Sequence, residues 1–591
     1  MAHLRSRRLV LVASVLALVA GSACKKKPPV EEAKKDVVKK PEIVEAPLPE
    51  GAVVELVVKD PEAFVKKVST GAGLEPLVGA SPYQKLVDAI TDENAKKAVK
   101  ALDPHGTLAV VALYQIGKPG EKAHAVAAAR LKDPDVASAA LEAATKAGSD
   151  VKSWDSKVLG GKAFEVNGGG EVAVVGDAVV VADARDALEA GARYVAWRSL
   201  KSSVDHELVV RMPLDKVGPS LQKVGTAEYA KVKPTDIPPK VKAELDPLVE
   251  PVLGAVGDMG QAVITMDVVG DDLKVDESIG AKGALAGWLA KWPTGDAAPI
   301  LTMPQAESVS LYRLPDGLGP LTYALLDEGI DGAPLSTAER AEASKQVRAL
   351  GKSFGRVVGA AIDKGKAAAA TAGPPSINTE VYLRIDLDDA AGAKAAIAAM
   401  HKVLEKALPG GKKPTITPYK KNGAEGEVVA TAATMPGMGG MGGGSTKDSW
   451  TWAIKGSQLH LDLCLGCTPA LVDVATEGKA TLGDDAAAKA KIGEMPTKGL
   501  ATASYATALS LPGLGGGMGA FMGGHGHDHE HEKAAAGAMW GYSVAGEKGL
   551  SGKGTVPLKM VGDFAKTLVA IASMGMMGGP MGGAMGGPPP F

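Results

Sequence analysis

The stretches AAARLKDPDVASAALEAA (127–144) and YLRIDLDDAAGAKAAIAA (382–399) decide how this chain is read. Each runs from a strand-like segment through an acidic turn into an alanine-rich helix of 3.6-residue period. Setting Arg130 against Arg384 also sets Asp135 against Asp389. Working outward, the match extends in both directions. Upstream, strand pairs are predicted at Leu108–Tyr114 with Ala125–Leu131 and at Arg356–Ile362 with Val381–Ile385. Before them stand VVELVV (53–58), followed by Asp60-Pro61 and a helix over Glu62–Val68, and SVSLYR (308–313), followed by Pro315-Asp316 and a helix over Leu318–Leu326. Downstream, VAVVGDAVVVAD (172–183) turns at Gly176-Asp177 and WAIKGSQLHLDL (452–463) turns at Gly456-Ser457, both tight-turn signals between alternating runs. Helices follow from Arg185 and from Pro469. A last module of strand 207–212, hairpin 262–277 and helix 281–291 answers to strand 501–508, hairpin 540–555 and helix 560–573.

The expected fold is therefore α+β, two tandem copies of a mostly antiparallel strand–helix–hairpin unit, at 51–298 and 305–575. The competing explanation is chance similarity between alanine- and valine-rich segments. The copies differ in their inserts. Copy two carries TMPGMGGMGGGST (434–446) and LPGLGGGMGAFMGGHGHDHEHEKAAAGA (511–538), and the chain closes on MGMMGGPMGGAMGGPPPF (574–591). Glycine this dense opposes fixed geometry, so these loops and the tail from 576 to 591 are expected to be disordered.

The first 50 residues are of another kind. Arg5, Arg7 and Arg8 precede an apolar run, Leu9–Ala20, and then Gly21-Ser22-Ala23-Cys24. Positive, apolar and small residues in that order make a secretory signal, and the run is too short to span a bilayer. A cysteine directly after small residues resembles the lipobox of bacterial lipoproteins, departing from it at Gly21, where that family has a larger aliphatic residue. The resemblance implies removal of residues 1–23 and acylation of Cys24, with a second or third acyl chain needed for a stable hold. Cleavage near Ala23 as an ordinary signal peptide is the alternative. Residues 24–50, rich in Lys, Glu and Pro, read as an extended tether. Lys25 after the cysteine, by analogy with enterobacterial sorting, points to the outer membrane. The body resembles large exported bacterial lipoproteins with repeated α+β modules, a resemblance of architecture that brings no functional residue with it.

Composition narrows the function. Of 66 Lys and Arg, three leave with the signal, so 63 basic residues face 68 acidic ones. A chain so balanced has no electrostatic reason to bind nucleic acid. Aromatics make up 4%, too few for a sugar-stacking platform, while 46% hydrophobic content suffices for cores of Val, Leu and Ala.

Candidate ligands lie mainly in copy two. His525, His527, His529 and His531 alternate with Gly526, Asp528 and Glu530. Neutral imidazoles suit Zn, Cu or Ni, and Asp528 adds oxygen ligands. The alternation resembles the histidine-rich loops of metal transporters and their periplasmic binding proteins; the plainer reading is a solvated polar loop. Met518 and Met522 offer thioethers that select Cu(I), although the Gly/Met pattern also resembles the disordered tails of chaperonins. Cys464 and Cys467 make a CxxC pair, read as a structural disulfide in an exported protein, with thioredoxin-like redox chemistry as the alternative. His460, in an alternating strand, reads as a surface or edge residue.

No catalytic motif survives. Gly351–Gly355 fits GxSxG, but a helix precedes it and a strand follows, the reverse of a nucleophile elbow. Gln346 stands where a P-loop needs its first glycine, and HExxH is missing. The expectation is a non-enzymatic, lipid-anchored envelope protein that binds a partner or acts as a scaffold. Metal handling at the His/Met segments is the alternative.

Overall fold

The computed structural model describes residues 43–563 except 80, 90–96, 98, 117–121, 147–150, 167–169, 202, 233–236, 238, 315–329, 332–334, 365–378, 408–414, 431–448, 466, 468 and 508–536. The fold mixes helices with extensive antiparallel sheet, as an α+β reading requires. By contact, the chain divides into two units. One comprises residues up to 221 with 260–278 and those from 558 onward; the other comprises 222–259 with 279–557. Segments 222–259 and 279–298, expected within the first copy, thus group with the second unit.

The strands of the first unit are β1 (Ala52–Val58), β2 (Leu108–Leu113), β3 (His124–Arg130), β4 (Val151–Ser156), β5 (Gly161–Val166), β6 (Gly170–Val175), β7 (Ala178–Ala182), β8 (Leu208–Met212), β9 (Met259–Val269) and β10 (Asp272–Ala281). They pair in the order β10–β9–β8–β1–β2–β3–β7–β6–β5–β4, antiparallel from β9 to β4. The second unit has β11 (Ser308–Arg313), β12 (Phe354–Lys364), β13 (Thr379–Leu387), β14 (Thr415–Lys421), β15 (Ala424–Ala430), β16 (Ser449–Lys455), β17 (Gln458–Leu465), β18 (Leu500–Ala506), β19 (Met539–Gly546) and β20 (Gly549–Pro557). Their order is β20–β19–β18–β11–β12–β13–β17–β16–β15–β14, antiparallel throughout. Adding ten to each label of the first order produces the second.

Turn chemistry holds these registers. The β6–β7 and β16–β17 turns place Gly176 at φ 60° and Gly456 at φ 59°, left-handed backbone that glycine enters without steric cost. Two hairpins, β4–β5 and β14–β15, extend the far end of each sheet beyond what the alternation predicts.

The main helices are α1 (Pro61–Gly71), α2 (Pro134–Lys146), α3 (Arg185–Lys201), α4 (Leu214–Tyr229), α5 (Pro239–Gly257), α6 (Thr337–Lys352), α7 (Ala390–Ala407) and α8 (Leu471–Glu477). In the first unit, α3 lays Leu188, Ala192, Val195 and Ala196 against Val126, Val180 and Ala128. A side chain at Gly191 would meet Val126 Cγ2 at 2.9 Å, so glycine lets the helix lie this close to the sheet. Fully buried Val and Leu residues here each contribute roughly 1.5–3 kcal/mol. In the second unit, α7 covers one face of β13 and β17 through Ala393 and Ile397 packed with Ile385, Leu387 and Leu459. The other face of those strands lies under α8, where Leu471 and Val472 join Tyr382, Leu311 and Met303. The helix expected over Leu318–Leu326 lies outside the described residues.

Candidate functional site

The paired strands β13 and β17 carry a polar face that is almost wholly buried. Directly opposed residues of an antiparallel pair share a face, as do residues two apart along a strand. The register sets Glu380 opposite Cys464, Tyr382 opposite Asp462, Arg384 opposite His460 and Asp386 opposite Gln458. The intervening Val381, Leu383, Ile385 and Leu387 point the other way. The first six polar residues are each no more than 3% exposed. This overturns the expectation for His460: it sits on a central strand between β13 and β16, inside the unit rather than at an edge.

Two carboxyl groups of this face receive the start of α8. Glu380 Oε1 accepts from the backbone N–H of Ala470 and, at 2.8 Å, of Leu471; Asp462 Oδ2 accepts from Val472 N–H at 3.0 Å. These are N–H groups left without intrahelical partners at a helix start. Burial, then the neighbouring Glu380 charge and hydrogen bond, push the Asp462 carboxyl up to about 8. At neutral pH Asp462 thus holds its proton beside Glu380.

Further along the face, the Tyr382 hydroxyl and His460 Nδ1 are 2.6 Å apart. Burial lifts the Tyr382 pKa well above the ordinary tyrosine range. Burial, with the charges of Arg384 and Lys455, lowers His460 to about 4. The tyrosine is therefore the donor to a neutral ring, which assigns the ring proton to Nε2. Arg384 donates from Nη1 to Thr302 Oγ1 at 2.5 Å and from Nη2 to the Pro299 carbonyl at 3.0 Å. Arg384 and His460 form part of the lining of a cavity of about 530 Å³, with Thr302, Lys455, Gln458 and Thr481 around it.

The first unit has a different buried cluster. Glu55, in the middle of the apolar run VVELVV, is 3% exposed and accepts from Arg198 Nε at 2.5 Å, Arg211 Nη1 at 3.0 Å and Tyr194 Oη at 2.8 Å. Burial, followed by the Glu55 charge, raises the Tyr194 pKa beyond the tyrosine range. These groups border a cavity of about 370 Å³ that also touches Trp197 and Lys216. Glu55 lies on a central strand under Tyr194 and Arg198 of α3, and at 3% exposure its charge is met by cations rather than by water.

Of the residues singled out in the sequence, Cys24, Met518, Met522, His525, His527, Asp528, His529 and His531 lie outside the described residues. Cys464 and Cys467 are bonded, with Cα atoms 5.3 Å apart, and both are buried. A sulfur exchanging with an external thiol has to be reachable, and these are not. The scattered histidines pair singly with acids: His105 with Asp60, His124 with Asp183, His206 with Asp267 and His401 with Glu427. Among the described residues no three His, Cys, Asp or Glu side chains are grouped to hold a metal, and no helix is long and apolar enough to cross a membrane. Ser353 of the false GxSxG is buried and donates to the Ala349 carbonyl at the end of α6, a helix-capping role.

The residues that sequence reasoning missed are Glu55, Glu380, Arg384 and Asp462. Their one signal is a charge inside an otherwise apolar strand, as in VVELVV and QLHLDLCL.

No protein-family model matches the chain, and no curated protein matches it. Among solved structures, crystal form IV of TP0453 aligns over 39% of this chain and 77% of that one, at 9% identity and a TM-score of 0.20. Crystal form III of TP0453 aligns over 41% and 85%, at 10% identity and a TM-score of 0.20. Scores this low carry no argument about function.

Proposed function

We propose that the chain is a lipid-anchored, non-enzymatic binding or scaffold protein of the bacterial envelope, held at the outer membrane through Cys24. Its body would be a tandem duplication of one α+β unit, over 51–298 and 305–575. The observation that carries this reading is the common order of connections. Each ten-strand order maps onto the other by the addition of ten, and corresponding strands lead into corresponding helices. β3 and β13 precede α2 and α7; β7 and β17 precede α3 and α8. Chance resemblance between alanine-rich segments does not account for ten strands in one order. A duplicated scaffold frees one copy to diverge, and divergence is concentrated in buried charge. Ser310 of β11 stands where β1 has Glu55, while Arg384 and His460 line a cavity in the second unit. Cavities of this size bordered by a few fixed polar groups are the usual form of a ligand site.

A second reading, metal handling, rests on the alternation of His525, His527, His529 and His531 with acids, which favours Zn, Cu or Ni. Both readings place the protein at a membrane surface, with no role for nucleic acid. The anchor is tested by intact-mass analysis of the detergent-extracted mature protein. A diacylglyceryl group on an N-terminal Cys24 is expected, with release of Cys24→Ser into the soluble fraction. An unacylated N-terminus following Ala23 would refute it.

A further inference from the structure

The cavity between the β13–β17 face and the end of α8 has a lining biased toward one sign of partner. Arg384 is 3% exposed, yet no carboxylate among the described residues lies within ion-pair distance of it. Its two hydrogen bonds go to the neutral Thr302 hydroxyl and the Pro299 carbonyl, and its Nε has no partner. Asp386, whose charge acts on Arg384, accepts instead from Gln458 Nε2 at 3.3 Å. A buried guanidinium is ordinarily held by a carboxylate or phosphate, whose geometry its fork matches. Leaving it without one costs several kcal/mol in general. Glu55 meets that need for Arg198 and Arg211 in the first unit. In the second unit nothing among the described residues does.

The neighbouring groups point the same way. His460, also 3% exposed, keeps its ring proton on Nε2, and that nitrogen too has no partner. Lys455 lies at the cavity rim; it uses one of its three N–H groups on the Thr476 carbonyl at 2.6 Å. The Thr302 hydroxyl, which accepts from Arg384, spends its own proton on the Pro299 carbonyl at 2.8 Å and so fixes the guanidinium rather than a ligand. Two cations, Arg384 and Lys455, and one neutral donor, His460, thus converge on a space of about 530 Å³, larger than a bare inorganic ion needs.

We propose that this cavity binds a small organic anion through a carboxylate or phosphate group, held by Arg384 with His460 and steered by Lys455. The proposal rests on reading the chain as a binding protein and adds the ligand's chemistry.

The test is isothermal titration of the intact mature protein with inorganic phosphate and, separately, with succinate, at constant ionic strength set with sodium chloride. A saturable heat with Kd below about 1 mM for at least one probe is expected, and the probe that binds tells phosphate from carboxylate recognition. Arg384→Met should weaken binding at least about tenfold, the scale of a charge-assisted hydrogen bond. Lys455→Ala, a change at the cavity rim, should weaken it about two- to fivefold. Should Arg384→Met fail to fold by circular dichroism, Lys455→Ala decides, since it leaves the buried face intact. The absence of saturable heat up to about 10 mM of either probe, or wild-type affinity in the folded variants, would overturn the proposal. So would equal heat from chloride alone, which would mark an adventitious ion. A negative outcome leaves the anchor and duplication readings standing, because neither acylation of Cys24 nor the strand order enters the titration.

Discussion

Replacing Asp462 by asparagine should remove a pH dependence from the stability of the second unit. In the folded protein the Asp462 carboxyl titrates at about 8, against 3.8 for the free side chain. Between those values the native state holds a proton that the unfolded chain has released. Stability therefore falls as pH rises across this window, and levels off only above the folded pKa. The limiting slope for one such proton is about 1.4 kcal/mol per pH unit. Between pH 5 and pH 7 the wild type should thus lose up to about 3 kcal/mol through this group. The amide introduced by Asp462→Asn would keep both hydrogen bonds: its oxygen accepts from Val472 N–H, and its N–H donates to Glu380, the part played by the Asp462 proton. The variant carries no titrating group there, so its stability relative to wild type should improve steadily from pH 5 to pH 8. His460 does not confuse the window, since burial keeps it neutral down to about 4. Calorimetric melts at pH 5, 6, 7 and 8 suit a chain of two units, which need not unfold in one step. Comparison of the transition that the substitution moves isolates the effect of one residue. Parallel pH profiles for wild type and variant would refute the protonated-Asp462 account.

Two further outcomes are expected. Glu55→Ala leaves Arg198 and Arg211 without their buried counter-charge and should destabilise the first unit by about 3–5 kcal/mol in urea unfolding, with Glu55→Gln less damaging; a loss under about 1 kcal/mol would mean that solvent reaches the cluster. Zinc held by His525, His527, His529 and His531 should be released as pH falls through the imidazole range near ~6.5, and deletion of 523–533 should abolish binding; unchanged zinc affinity at pH 5 would place the ligands elsewhere.

Much of the element pattern was legible locally. Gly176-Asp177 and Gly456-Ser457 mark hairpin turns because their backbone conformation needs glycine, and that requirement is met within a few residues. The alanine-rich runs after Asp135 and Asp389 are helices because their apolar period is helical. The hairpins β4–β5 and β14–β15 were harder to see. VKSWDS and TITPYKK are largely polar strands whose partners, rather than their own hydrophobicity, keep them extended.

The candidate site was not legible in this way. Alternation in QLHLDLCL separates two faces of β17, and with one face apolar the other is ordinarily taken as wet. Which face meets solvent is a property of what lies across it. Here α7 covers the leucines, while α8, further along the chain, covers His460, Asp462 and Cys464. The sequence by itself determined the alternation, the turns and the helical runs, since each depends on neighbours a few residues away. Only the tertiary structure decided that the polar face is interior, that burial beside Glu380 raises the Asp462 carboxyl, and that Arg384 faces a cavity without a counter-charge among the described residues. Burial and charge pairing are set by residues distant in the chain, and one strand's pattern cannot encode them.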